Sequence, residues 1–114
     1  MSTTSAAAKS TQQKSVELQK SFELRYNFPL DLPPNFTAVA NPTSQAMSVL
    51  QVENLSTSNV ATFFINGGGV SEVINLPANS AQPYTLVHNF NGSKLEVSNI
   101  STRDAVIQIV LRST

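Results

Sequence analysis

Ser48-Val-Leu-Gln-Val-Glu-Asn-Leu-Ser-Thr57 and Ser93-Lys-Leu-Glu-Val-Ser-Asn-Ile-Ser-Thr102 share one pattern, S-x-L-x-V-x-N-[L/I]-S-T. In each copy Leu and Val alternate with polar residues, the period-2 signature of a half-buried β-strand. The Asn-[L/I]-Ser-Thr that follows is turn chemistry, because Asn and Ser side chains bond nearby backbone groups. A second alternating run comes next in both copies, so each reads as a strand, an Asn-initiated turn and a return strand, that is, a hairpin. Two such units in matched order point to equivalent positions in a two-sheet sandwich of Greek-key or jelly-roll type.

The surrounding chain extends this pattern. Strands are expected at residues 48–54, 59–66, 70–76, 83–90, 93–99 and 105–112, separated by clusters of Ser, Thr, Asn, Gly and Pro at the spacing of a sandwich. Asn91-Gly92 predicts a type I′ hairpin turn, which needs positive φ at two successive residues. Gly67-Gly68-Gly69 reads as a flexible loop. A phosphate cradle would require a helix after it, whereas the following Val70-Ser-Glu-Val-Ile-Asn-Leu76 is strand-like. Residues 36–40 form a short candidate strand ended by Asn41-Pro42. Ahead of it, Pro29, Pro33 and Pro34 make residues 29–35 a stiff link outside any sheet interior.

The N-terminal part carries its own signal, Ser15-Val-Glu-Leu-Gln-Lys-Ser-Phe-Glu-Leu-Arg-Tyr-Asn-Phe-Pro-Leu30. Val16, Leu18, Phe22, Leu24, Tyr26 and Phe28 share one parity, interrupted only by Lys20. As one strand, residues 16–28 would extend roughly 40 Å, beyond what a small sheet needs. The arm is therefore expected to divide at Lys20, with residues 22–28 as a well-buried strand and the preceding part reaching a partner. Residues 1–14 hold no large apolar side chain except Met1, and alone are expected not to order.

Composition narrows the function classes. The 114 residues allow one domain, net charge is zero, and charged residues are only 12% of the chain, which gives no basis for a nucleic-acid partner. There are no cysteines, hence no disulfides, thiolate metal sites or Cys nucleophiles. No apolar leader or membrane-length run occurs, so synthesis in the cytoplasm without membrane insertion is expected. His88 is the only histidine and alternates with Tyr84, Leu86 and Phe90, as a semi-buried strand residue would. Glu53, Glu72, Glu96 and Asp104 fall on separate strands or turns, and no serine lies in a G-x-S-x-G elbow. Four Asn-x-Ser/Thr sequons, at Asn35, Asn54, Asn91 and Asn99, are accounted for by turn bonding. The expectation is a protein that is not an enzyme, with no cofactor and no metal site.

In general character the segment from Ser48 to Leu111, with its N-[L/I]-S-T turns, resembles the small jelly-roll or sandwich subunits of phage particles, such as capsid-decoration and cement proteins. It is similar also to the fibre subunits of bacterial spore appendages, although their N-terminal extension carries cysteines that this chain lacks. The resemblance implies a non-enzymatic role in a large assembly, ending in a virion or an extracellular structure. The sequence reading is thus an all-β antiparallel sandwich, jelly-roll-like, with an extended N-terminal arm. Its organisation is an arm at 1–28, a Pro-rich connector with a short strand at 29–46, and the main part of the sandwich at 47–114. Val16, Leu18, Phe22, Leu24, Tyr26 and Phe28 form the expected assembly interface. The expected partners are copies of the chain itself or a major structural protein of the same particle; the alternatives are a surface or spore-appendage fibre subunit and a ligand- or carbohydrate-binding module.

Overall fold

Alternation of apolar and polar residues becomes alternation of burial in a computed structural model that describes residues 21–42, 47–79 and 82–113. Nine strands and no helix appear there: β1 (Ser21–Glu23), β2 (Leu30–Leu32), β3 (Thr37–Ala40), β4 (Met47–Asn54), β5 (Ala61–Gly67), β6 (Val70–Leu76), β7 (Tyr84–Asn89), β8 (Leu95–Asn99) and β9 (Ile107–Ser113). Leu50 and Val52 of β4, Phe63 and Ile65 of β5, Leu95 and Val97 of β8, and Ile107, Ile109 and Leu111 of β9 are all sealed from solvent. Their neighbours along each strand face outward, as the pleat requires.

Two sheets pack around this core, with strand orders β1-β3-β8-β5-β6 and β2-β9-β4-β7. The antiparallel pairs nest: β5 with β6, β4 with β7, β3 with β8, and β2 with β9. Eight strands therefore form one long antiparallel ribbon, with its tip at the β5–β6 turn. Rolling that ribbon up adds the pairs β4–β9 and β5–β8, which complete the sheets. This is the jelly roll, two interlocked Greek keys. β1 is an addition to it, pairing parallel with β3 at the sheet edge.

The topology corrects several local expectations. The two repeat units are not hairpins: β4 and β5 lie in different sheets, as do β8 and β9, so each Asn-led turn is an arch crossing the sandwich. The equivalence of the two copies holds. Asn54 Oδ1 accepts the Ser56 amide, while its Nδ2 donates to the carbonyls of Asn59 and Leu76. Asn99 Oδ1 accepts the Ser101 amide, while its Nδ2 donates to the carbonyls of Ala105 and Leu32. The paired strands exchange roles across the core, β4 lying beside β9 and β8 beside β5.

Asn91-Gly92 makes the expected tight turn, with both φ positive and the Ser93 amide bonded to the Phe90 carbonyl at 2.8 Å. It joins β7 to β8 in opposite sheets, however, and so is not a hairpin. The hairpin is at the glycines instead. Gly67 pairs with Val70, leaving Gly68 and Gly69 as a two-residue loop with φ of 57° and 88°, values an L-residue adopts only at a cost. A Cβ on Gly68 would come within 2.7 Å of the Phe90 ring and 2.9 Å of its Cα, so this loop is a fitted turn packed on Phe90. The Pro-rich link also contains a strand: β2 sits between Pro29 and Pro33 and pairs at the open edge of β9, a location that accommodates flanking prolines.

Candidate assembly surfaces

The N-terminal arm is divided by the structure, but not as one buried strand. Val16 and Leu18 lie outside the described residues, as do residues 1–14. Phe22 is 36% exposed, its ring 5.3 Å from that of Phe36. Leu24 is buried in the core, and Tyr26 is half-buried with its hydroxyl 2.7 Å from the fully buried Ser48 Oγ. Phe28 is 66% exposed. The expectation of a well-buried strand over residues 22–28 is therefore overturned: pairing with β3 ends at Glu23 and the Leu24 amide, which bonds to the Val39 carbonyl.

The physical cause is a change of sheet. After Leu24 the chain leaves β3, meets β9 at a parallel bridge between Tyr26 and Leu111, and turns at Asn27, whose φ is 69°. The Asn27 amide bonds to the Leu111 carbonyl at 2.7 Å, and β2 follows beside the same strand. Residues 24–28 thus bridge the two sheets on one flank and close the seam with Leu24. Asn27 was the available signal, since Asn is among the few residues that tolerate left-handed backbone.

The opposite flank is open. Among the described residues β6 and β7 are the outer strands of their sheets, each paired on one side only. Their exposed apolar residues include Val73 (56%) and Val87 (51%). Across this flank the Tyr84 hydroxyl donates to Glu72 Oε1 at 3.3 Å. Partial burial, then the Glu72 charge and its hydrogen bond, hold the Tyr84 phenol above its ordinary pKa of 10.0. Glu72 is the one carboxylate on either edge strand.

A shallow groove of about 890 Å³ lies at the β1 edge, lined in part by Phe22, Phe36, Thr37, Glu96, Ser98 and Ile100. Two pairs of its polar groups engage each other: Thr37 Oγ1 is 2.9 Å from Ser98 Oγ, and Lys94 is 3.6 Å from Glu96. Leu55 and Ile100, the [L/I] residues of the two arches, are both exposed, at 41% and 44%, and so do not contribute to the core.

Several polar side chains are engaged by neighbours within the fold. His88 is half-buried on β7, with Nε2 2.7 Å from the Gly68 carbonyl oxygen and its ring edge-on to Phe90. Glu23 pairs with Arg25, and Asp31 accepts from Gln108. Among the described residues no cluster of three or more His, Asp or Glu could hold a metal, and no helix is long and apolar enough to cross a membrane.

The fold and its edges define a jelly-roll β-sandwich whose N-terminal segment adds a parallel strand to one sheet. No family model matches the chain, and no curated protein matches it by sequence. By structure it is similar to the pre-peptidase C-terminal domain of a collagenase from Bacillus anthracis, with a TM-score of 0.53 and 10% identity over 82% of this chain and 96% of that one. At that identity the likeness is one of fold.

Proposed function

We propose that this chain is a non-enzymatic structural subunit that assembles with copies of itself through its N-terminal segment, in a large particle such as a phage virion, where it acts as a decoration or cement protein. The observation that carries this reading is the exit of the chain. β1 is exposed along its whole length on the outer edge of the five-stranded sheet, and residues 15–20 before it carry the same alternating pattern through Val16 and Leu18, interrupted at Lys20. A strand with one apolar parity is suited to fill an unpaired sheet edge, the strand-addition mode of recognition. Support comes from Phe28, Val73, Val87 and Val60, all more than half exposed. Sparse charge adds further support, since it offers little repulsion between packed copies.

Light scattering and sedimentation velocity on the full chain and on a version lacking residues 1–20 test the reading. The full chain is expected to form concentration-dependent species larger than a monomer. The truncated chain is expected to remain monomeric and folded, because Leu24 and Tyr26 are retained. Monomers in both cases would overturn the proposal.

A further inference from the structure

We infer that the acceptor for the N-terminal segment is the free edge of β6 in a second copy, and that Val16, Leu18 and Lys20 of the donor lie antiparallel to Leu76, Ile74 and Glu72 of the acceptor. This rests on the reading of the N-terminal segment as a docking strand. The available backbone groups follow from the hairpin. Gly67 and Val70 flank a two-residue turn and are a hydrogen-bonded pair. Alternation from that pair directs Val70, Glu72, Ile74 and Leu76 toward β5 and turns the N–H and C=O of Ser71, Val73 and Asn75 outward. Edge strands of this length are usually blunted by proline, lysine or a bulge. β6 runs seven residues with none of these, and its single charge, Glu72 on the inward parity, disfavours any incoming strand that lacks a cation opposite it.

Side chains fix both the register and the direction. Leu76 is buried and Ile74 half-buried, on the face of β6 turned toward the second sheet, whereas Glu72, on the same parity, is exposed. The donor carries the same order in reverse: apolar Val16, apolar Leu18, then Lys20. Antiparallel pairing sets Val16 beside Leu76, Leu18 beside Ile74, and Lys20 beside Glu72. The polar residues Glu17 and Gln19 then fall beside Asn75 and Val73 on the outer face. The cation that interrupts the apolar parity of the arm thereby meets the carboxylate that interrupts the apolar parity of β6. β7, the outer strand of the second sheet on the same flank, contains no carboxylate and starts just after Pro83.

The donor must be a second copy. Lys20 is joined directly to Ser21 of β1, and β1 is separated from β6 of its own sheet by β3, β8 and β5. Four strand spacings amount to roughly 19 Å, whereas consecutive Cα atoms are about 3.8 Å apart. A chain cannot place its own Lys20 against its own Glu72. Residues 16–20 on the acceptor and β1 on the donor would be one continuous strand that joins the five-stranded sheets of successive copies edge to edge. Such a contact is head-to-tail and propagates into a ring or filament.

Two measurements on the full chain test this. In the first, Leu18→Cys and Ile74→Cys are combined in a background without cysteines and oxidised. A ladder of disulfide-linked dimers, trimers and larger species is expected, collapsing on reduction; exclusively monomeric, internally linked protein would overturn the second copy as donor. In the second, Lys20→Glu and Glu72→Lys are each expected to weaken association by roughly fivefold, the scale of one cross-strand pair, and the double exchange to restore it. Association that is lost on removing residues 1–20, yet gives no ladder and does not respond to either exchange, would overturn the β6 register while leaving the N-terminal docking reading intact. A full chain that is monomeric at every concentration would overturn both.

Discussion

Asn99 is the residue on which two distant parts of the chain depend. It is fully buried, and its Nδ2 donates to Leu32 and Ala105 at 2.9 and 2.8 Å, while Oδ1 accepts from the Ser101 amide at 3.1 Å and its hydroxyl at 2.6 Å. Replacement by alanine leaves buried donors and acceptors without partners, each costing about 1–3 kcal/mol where water cannot reach them. Asn99→Ala is therefore expected to lower the urea-unfolding free energy by about 3 kcal/mol. Asn54→Ala, at the equivalent but slightly exposed position, should cost about 2 kcal/mol. Equal and negligible effects would show that these bonds are replaced by water. The local half of this role was legible, since Asn-x-Ser marks a turn whose side chain bonds the backbone. The bond to Leu32 was not, because it spans 67 positions and depends on the rolled-up fold.

At the scale of elements, the arm and the arches show where periodicity stops being informative. Strand β6 falls at its expected bounds, and the strands from β4 to β9 fall within two residues of theirs, because alternation reports burial on one face directly. Alternation does not report which sheet a strand joins. Residues 22, 24, 26 and 28 keep one parity in sequence, yet the chain passes from β3 to β9 between Leu24 and Tyr26 and delivers Phe28 to solvent. The same limit turned two apparent hairpins into arches. It also sets the right boundary for truncation. Removing residues 1–20 is expected to shift the unfolding midpoint little, whereas removing 1–28 also takes away Leu24, buried to 4% exposure, and the Tyr26–Ser48 bond. Loss of one buried leucine costs about 2–4 kcal/mol, and loss of the hydroxyl partner about 1 kcal/mol more. Thermal unfolding of the two truncations checks this; equal midpoints would mean that the seam closes without the arm.

For the molecule as a whole, nested pairing orders the contacts by distance along the chain. The innermost pair, β5 with β6, is joined by two glycines, whereas β2 and β9 meet only after all the intervening strands have been threaded. Loop-closure entropy favours the short connection first, and long-range β pairing is slow. Refolding is therefore expected on the millisecond-to-second scale, with the β5–β6 hairpin formed early and the seam closed late. Phe63, fully buried on β5, and Leu24, on the seam, probe the two ends of that sequence. Phe63→Leu should slow refolding by a large share of its equilibrium effect, whereas Leu24→Ala should leave the refolding rate nearly unchanged and accelerate unfolding. Stopped-flow chevrons on both variants measure the partition directly. A Leu24→Ala variant that refolds much more slowly would place the arm in the folding nucleus. Late docking instead leaves the arm among the last segments to commit to its own domain, which is the order in which a neighbouring copy could compete for the residues just before it.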